Sequence, residues 1–339
     1  MRVLSLFDGI SCGRVALART GIPVEAYHAW EIEDSAVKIS KHNWDDIAHH
    51  GDVFAQDFSV FKGSADLVIG GSPCTHWSIA QKADCRETES SGLGWDLFSQ
   101  FIRALNESEA PFFLYENNYS MSNAIKEAIT DSFQSLITSR LSLPKGHPAR
   151  IAAEFYPFVR PVHINSLLVS AQSRNRYYWT NIPCNDDFFV PVDHGILLQD
   201  ILEFGWVDRP KSLCLARRYA GFQGSESYLC RRYFGKSFGQ AVFASKEARD
   251  EVYALWRENP YFDRGVPIET EPSELSKRRI RPLLTVEVER LQTLPDGYTD
   301  VPGVSRVQRI EAIGNCWTVD VIAHLLAGFH RWGFKNACL

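Results

Sequence analysis

The sequence lacks a long apolar run, paired cysteines and an excess of basic residues. No stretch of 18 or more apolar residues occurs in the 339 residues, which argues against a membrane span. The eight cysteines are scattered without the spacing of a disulfide framework or a zinc site, so we expect a reduced, intracellular protein with no metal. The formal net charge of −5 argues against a protein that coats nucleic acid non-specifically.

Basic residues nevertheless cluster in the second half of the chain, at Arg217 and Arg218, at Arg231 and Arg232, and in the segment 277–281. For any one cluster, a solvated charged surface explains the pattern as well as a nucleic-acid contact does. The sequence contains no internal repeat, and 45% hydrophobic with 23% charged residues is typical of a chain that folds throughout.

Short apolar runs alternate with amphipathic stretches through roughly the first 180 residues, which predicts a doubly wound, mostly parallel α/β sheet of Rossmann-like type. From residue 198 glycines, aromatics and arginines are interspersed and the periodicity weakens. We therefore expect three parts: residues 1–197 as the main domain, residues 198–277 as a small irregular domain, and residues 278–339 as helices that return to the first domain. Strands are expected at 3–7, 24–30, 66–70, 112–116, 164–170 and 176–180, and helices at 15–20, 96–106, 123–133, 286–293, 305–313 and 318–332.

A glycine-bearing turn, Asp-Gly-Ile-Ser-Cys-Gly at 8–13, follows the first strand, and Glu31 ends the second. In nucleotide-binding folds an acid so placed accepts hydrogen bonds from ribose hydroxyls. The turn lacks the full G-x-G-x-x-G that cradles a pyrophosphate, which favours a cofactor without phosphates such as S-adenosylmethionine. Asp52 could hold the adenine amino group. Such turns also occur in α/β proteins without a cofactor, so this feature alone leaves the question open.

Residues capable of catalysis follow three further strands. Cys74 stands just beyond one strand, at the edge where doubly wound sheets bind ligands, and Pro73 makes its turn rigid. Glu116 emerges at the same edge, and alternation in the next extended segment would place Gln172, Arg174 and Arg176 on one side. Taken singly, these residues have ordinary structural explanations: a buried small hydrophobe, a helix cap and a solvated strand edge.

Together these residue types suit methyl transfer to carbon 5 of cytosine. That carbon is a poor nucleophile until a thiolate, here Cys74, adds to carbon 6. Glu116 would hydrogen-bond or protonate ring nitrogen 3, and Arg174, supported by Arg176, would place positive charge near the exocyclic oxygen. Because a base stacked in a duplex cannot reach such a pocket, the target would be swung out, and the second domain would contact base edges and phosphates.

The ordered motifs resemble those of the cytosine-5 DNA methyltransferases over almost the full chain. Ser72 stands where many members have a second proline, a variant also seen in phage-type relatives and in the de novo vertebrate enzymes. The matching segments are 6–9 and 314–319 for the cofactor, 72–74 for the nucleophile, 116–117 for the carboxylate, 172–176 for the paired arginines, and 281–296 for the penultimate motif.

The resemblance implies a bacterial or phage DNA (cytosine-5-)-methyltransferase that uses S-adenosylmethionine and no metal, and that acts on double-stranded DNA, as in restriction–modification systems. We expect a cytoplasmic monomer or weak oligomer without membrane association. Catalysis is assigned to Cys74, Glu116, Arg174 and Arg176, with 198–277 as the target-recognition domain. Cofactor contacts are expected from Phe7, Asp8, Gly9, Ile10, Ser11, Cys12, Glu31, Asp52, Val53, Asn315, Cys316 and Trp317.

Two alternatives remain open. A non-catalytic, DNA-binding regulatory homologue would lack the cysteine, the carboxylate or an arginine, and all of these are present. A tRNA cytosine-5 methyltransferase would keep the chemistry, but that branch of the family carries a Cys-Phe-Thr signature that this sequence lacks. The segment after Cys74, through Gly92 and Gly94, would be a loop that closes on DNA, with its glycines as hinges.

Overall fold

The structure, a computed structural model, describes residues 1–78, 86–183, 189–264 and 271–331. The chain divides into two compact units. Unit 1 comprises Met1–Asn165, Asn175–Pro191 and the C-terminal segment from Val321, and unit 2 comprises Ser166–Arg174 and Val192–Asp320. The expected boundaries need correction, because residues 278–320 and the short piece 166–174 lie in unit 2.

Seven strands form the sheet of unit 1. They are β1 (Arg2–Leu6), β2 (Ala26–Trp30), β3 (Ile47–His49), β4 (Leu67–Gly70), β5 (Phe112–Asn118), β6 (Val162–Asn165) and β7 (Asn175–Thr180). Their order is β3-β2-β1-β4-β5-β7-β6, and β7 alone runs antiparallel to its neighbours. β4 and β5 are buried along their whole length, as is usual for strands covered on both faces. The predicted doubly wound, mostly parallel sheet is confirmed.

Helices alternate with these strands, and aromatic side chains fill the core beside β5. Phe113 stacks on Phe133 with ring centroids 4.6 Å apart, and Phe98 and Phe101 pack edge-on or tilted against the same cluster. The helices of the first part of the chain are α1 (Cys12–Thr20), α2 (Asp34–Asn43), α3 (Leu93–Ser108), α4 (Asn123–Arg140) and α5 (Pro148–Phe155).

Unit 2 is more regular than the sequence suggested. It contains a two-stranded antiparallel sheet, and serines at positions 225 and 245 cap two of its helices by accepting hydrogen bonds from backbone amides three residues ahead. The remaining elements in chain order are α6 (Glu226–Lys236), β8 (Ala241–Phe243), α7 (Lys246–Glu258), α8 (Pro272–Leu275), β9 (Ile280–Pro282), α9 (Thr285–Leu291), α10 (Arg306–Asn315), α11 (Val319–Leu326) and α12 (Gly328–Arg331).

Close packing explains why α10 belongs to unit 2. A Cβ at Gly314 would lie 2.5 Å from the backbone nitrogen of Arg217, so only glycine lets the helix approach that turn. The chain returns to unit 1 at Val321, within α11, and in α12 Phe329 meets the ring of Phe112 edge-on at 5.0 Å. The predicted return of the last helix to the first sheet is therefore confirmed as far as residue 331, and Trp332 lies outside the described residues.

The segment Arg306–His330 has the length and hydropathy, with a mean of 1.3, that a membrane crossing requires. In the structure 67% of its most apolar window is buried inside the fold, and core helices pass the same test by composition. This is the one such segment in the part of the chain that the structure describes.

Candidate active site

The turn after β1 brings the glycine-bearing segment to Glu31. Phe7, Gly9 and Ser11 have φ angles of 57°, 60° and 62°, so the backbone curls tightly before α1 begins. The amide of Gly9 donates to Glu31 Oε2 at 2.8 Å, and the amides of Ile32 and Glu33 donate to Glu31 Oε1 at the same distance. Three backbone donors thus fix the carboxylate at the end of β2, where the sequence predicted it.

Asp8 lies inside this turn and organises it. Its carboxylate accepts hydrogen bonds from the hydroxyls of Ser5 at 2.6 Å, Tyr27 at 2.7 Å and Ser11 at 2.5 Å. Burial raises the pKa of Asp8 to about 6, although these three donors work in the opposite direction. Ile10 and Cys12 are buried beneath the turn. We infer that they and Asp8 shape the turn from within.

Asp52 caps a short 3-10 helix, Val53–Ala55, by accepting from the amide of Phe54 at 3.0 Å. Val53 is buried, and its carbonyl accepts from the Arg103 guanidinium at 2.7 Å.

Two apolar side chains next to the predicted contacts were not singled out from the sequence: Ile32 is 78% exposed and Phe54 is 48% exposed. The sequence did offer a signal for both residues. Ile32 comes directly after Glu31, and Phe54 comes two positions after Asp52, and each of these acids follows a strand.

The turn that leads to Cys74 is held by side chains of β5. Asn117, fully buried, donates to the Ser72 carbonyl at 3.1 Å and to the Tyr115 hydroxyl at 3.0 Å, and the Ser72 and Tyr115 hydroxyls are 2.6 Å apart. Gly70 precedes this turn and would clash with the Leu6 carbonyl, at 2.7 Å, if it carried a Cβ. The backbone of Cys74 therefore begins its 3-10 turn, Cys74–His76, from an anchored position.

Glu116 pairs with Arg176 across β5 and β7. The register places Glu116 opposite Tyr178, so Arg176 is its diagonal neighbour on the same face. Arg176 Nε lies 2.7 Å from Glu116 Oε1, and both side chains are only about a tenth exposed, at 13% and 11%. Because β4 and β5 are parallel neighbours, Glu116 and the turn before Cys74 emerge at the same sheet edge, as the sequence predicted.

Arg174 is held by backbone carbonyls of its own unit. It lies in unit 2, where its guanidinium donates to the carbonyls of Leu215 at 3.2 Å, Gly314 at 3.3 Å and Cys316 at 3.0 Å. Gln172 likewise accepts from the Leu215 amide at 2.7 Å. β7 begins only at Asn175, and the residues before it belong to unit 2, so the expected placing of the three side chains on one side stays a prediction.

The last predicted cofactor residues lie at the end of α10, in unit 2. Asn315 is exposed, Trp317 is half-buried and Cys316 is buried, with its carbonyl held by Arg174. The next residue, Thr318, donates to Gln292 Oε1 at 2.8 Å, which fixes the segment from the other side. Polar side chains thus hold this stretch of backbone at both ends.

Glu87 was not predicted from the sequence, yet it hydrogen-bonds to residues before and after the segment expected to form the loop. It accepts from Trp77 Nε1 and from the amide of Gly94, each at 3.1 Å. Residues 79–85 of that loop lie outside the described residues, and the hinge role of Gly92 and Gly94 stays a prediction. Within the described ranges, no group of three or more histidine, cysteine, aspartate or glutamate side chains is placed to hold a metal ion.

The strand order, with its single antiparallel strand, and the acids at the ends of β2 and β5 define an S-adenosylmethionine-dependent methyltransferase fold. The S. pombe Dnmt2 methyltransferase shares this fold, with a TM-score of 0.67 at 17% identity over 98% of this chain and 99% of that one. Residues 1–138 match the family model of the C-5 cytosine-specific DNA methylases. The first 138 residues thus match a domain of that family, and the resemblance drawn from the motifs is confirmed.

Two relatives show how far the sequence likeness extends. The orphan methyltransferase M.SPRI of Bacillus phage SPR is 35% identical over 120 residues, which are 34% of this chain and 26% of that protein. The type II methyltransferase M.Eco47II of Escherichia coli is 23% identical over 361 aligned positions, which cover 96% of this chain and 79% of that protein. The stronger likeness thus spans only about a quarter of the phage relative's length.

Proposed function

We propose that the chain is a DNA (cytosine-5-)-methyltransferase that acts on a flipped-out cytosine of duplex DNA through a covalent bond to Cys74. The observation that carries the proposal is the end of β5, where Asn117 anchors the turn before Cys74 and Glu116 stands 2.7 Å from Arg176. The family match over residues 1–138 supports it.

The proposed reaction begins with addition of the Cys74 thiolate to carbon 6 of the pyrimidine. A carbon–sulfur bond forms, the carbon 5–carbon 6 double bond opens, and negative charge moves onto the ring. Glu116 hydrogen-bonds or protonates nitrogen 3, and Arg176, held beside it, stabilises the charge near the exocyclic oxygen. We give this second role to Arg176, because the guanidinium of Arg174 is committed to carbonyls of unit 2.

The polar and apolar residues of unit 1 fit S-adenosylmethionine. When bound, this cofactor supplies the methyl group for carbon 5, because its positively charged sulfur makes that methyl carbon reactive. Glu31 would accept hydrogen bonds from the ribose, Asp52 would accept from the adenine amino group, and the exposed Ile32 would cover an apolar ring face. The tight turn from Phe7 to Cys12 would face the amino-acid part. The family resemblance adds Asn315, Cys316 and Trp317 as further predicted cofactor contacts. After methylation, the proton on carbon 5 passes to solvent water, the carbon 5–carbon 6 double bond re-forms, and the carbon–sulfur bond breaks to release the Cys74 thiolate.

Unit 2 would serve as the target-recognition part of the protein and would supply its contacts with DNA. Extruding the target base costs a few kcal/mol of stacking and pairing. Contacts of unit 2 with base edges and phosphates would offset that cost. The phage and bacterial relatives are methyltransferases by name, so we place the protein in the cytoplasm of a bacterium or infected host.

The test is a covalent adduct with 5-fluorocytosine, whose fluorine at carbon 5 blocks the final elimination. Wild-type protein with S-adenosylmethionine should form a denaturant-stable complex with fluorinated duplex DNA from a mixed-sequence pool. C74A should form none, whereas C214A, which removes an exposed cysteine of unit 2, should react normally. E116Q should keep cofactor affinity and lose most turnover.

Three results would contradict the proposal. No adduct on any DNA would exclude the DNA reaction. An adduct on fluorinated transfer RNA alone would mean that the substrate is transfer RNA and not DNA. An adduct with C74A would exclude Cys74 as the nucleophile.

A further inference from the structure

Two arginines of unit 2 pack against one phenylalanine ring. The guanidinium carbon of Arg232 lies 4.3 Å from the centroid of Phe238, and that of Arg218 lies 5.0 Å from it. The backbone enforces this arrangement, because Ser237 adopts a φ of 46° and the amides of Ser237 and Phe238 both donate to the Arg232 carbonyl. The end of α6 thus folds back and sets the ring beside its own arginine.

These arginines lack the acidic partners that neighbouring ones have. Arg217 lies 3.0 Å from Glu311, and Arg279 pairs with Glu226 at 2.7 Å. By contrast, neither Arg218 nor Arg232 forms an ion pair in the ranges that the structure describes, and the same holds for the exposed Lys236. A cationic cluster left uncompensated in a chain of net charge −5 requires an explanation.

Hydrogen bonding gives a second, independent indication. Arg232 Nε is buried and has no hydrogen-bond partner among the described residues. A buried donor without a partner costs free energy, so its retention points to an acceptor that arrives from outside. Stacking on Phe238 also restricts both guanidinium groups before any ligand binds, which reduces the side-chain entropy lost on recognition.

We infer that Arg218 and Arg232 read guanine in the target site, with Phe238 as their platform and Lys236 on an adjacent phosphate; this rests on the proposed function. A guanidinium offers two parallel N–H donors that match O6 and N7 of guanine in the major groove. Lysine carries the charge but not the planar fork, so the two residue types are separable by substitution. The arginines are therefore specificity-determining residues of unit 2.

The experiment measures methylation of a randomised duplex library by sequencing. For wild type, the preferred site should contain guanine besides the modified cytosine and its base-paired guanine. R218A and R232A should each reduce discrimination at one guanine position by about 5- to 150-fold, the range for one bidentate contact. R218K and R232K should bind DNA with almost wild-type affinity but lose the same discrimination.

R217A is the matched control, because Arg217 is adjacent in sequence, exposed and already paired with Glu311. It should leave the sequence preference unchanged. Unaltered preference in R218A and R232A would overturn the inference. A uniform loss of affinity across sequences, with a salt dependence weaker by about one phosphate contact, would also overturn it. If wild type methylates no DNA at all, the proposed function fails instead, so the two failures are distinguishable.

Discussion

Replacing Asn117 with alanine tests whether the turn before Cys74 must be anchored for catalysis. The fully buried Asn117 amide donates to the Ser72 carbonyl at 3.1 Å and accepts from the Asn118 amide at 2.8 Å. In N117A both backbone groups would lose a partner, at a cost of about 1–3 kcal/mol each. We therefore expect N117A to lose roughly 2–6 kcal/mol of unfolding free energy.

Asn181 provides a matched control at the opposite end of β5. It is also buried, accepts from the Phe113 amide at 2.9 Å and donates to the Pro111 carbonyl at 2.8 Å. N181A should therefore lose a similar amount of stability without touching the turn before Cys74. Only N117A should also slow adduct formation. The expected factor is about tenfold, because losing one hydrogen bond of about 1.4 kcal/mol that favours the reactive conformation of the turn reduces its population by that factor.

The assay combines urea titration with the single-turnover rate of adduct formation on 5-fluorocytosine DNA. Both variants are compared at a temperature at which each is fully folded. Equal adduct rates in N117A and N181A would refute the reasoning, because stability alone would then explain the loss.

Three further substitutions give separate tests. E31Q should weaken S-adenosylmethionine binding by about 10- to 100-fold in calorimetry, because a charged acceptor is lost. E33Q, two residues further on, should bind normally, and equal affinities of the two variants would remove Glu31 from the cofactor site. Since burial raises the pKa of Asp8 to about 6 from 3.8, the folded state holds that proton more tightly than the unfolded chain does. The stability that this proton provides is complete below about pH 4 and is lost as pH rises through about 6, so D8N should be more stable than wild type near pH 7 but not near pH 4 in urea titrations. R281M should destabilise the protein by about 3–5 kcal/mol, because it strands the fully buried Glu287 carboxylate, 2.8 Å from the Arg281 guanidinium; a double variant with E287M should recover part of that loss.

Much of the fold of unit 1 could be predicted because each of its main strands is a short run of apolar residues followed directly by polar ones. Glu31, Glu116 and Cys74 each follow such a run, and parallel neighbours bring their carboxyl ends to one edge. The position of these three residues at that edge therefore followed from local pattern and sheet topology.

The contacts of the paired arginines could not be predicted. Arg174 and Arg176 are two residues apart, yet the carbonyls that hold Arg174 lie 41 to 142 positions further along the chain. Alternation applies only within a strand, and β7 starts between the two residues. Long-range backbone acceptors leave no local signal in a sequence.

Two helices of unit 2, α6 and α7, were missed for a different reason. α6 combines arginines and aromatics, and its buried side chains include Cys230 and Tyr233, so the apolar period is weak. The signals that could have found both helices were Ser225 before Glu226 and Ser245 before an acid in the first turn.

The path of the chain through its two units restricts how the protein could be recombined. Residues 166–174 belong to unit 2 although 175–191 belong to unit 1. A graft that exchanged only 192–320 for the corresponding piece of a relative would leave Gln172 and Arg174 behind with foreign acceptors in place of Leu215, Gly314 and Cys316. Chimeras with altered target preference must therefore carry two separate segments of the gene, and crossovers between codons 174 and 192 should be poorly tolerated.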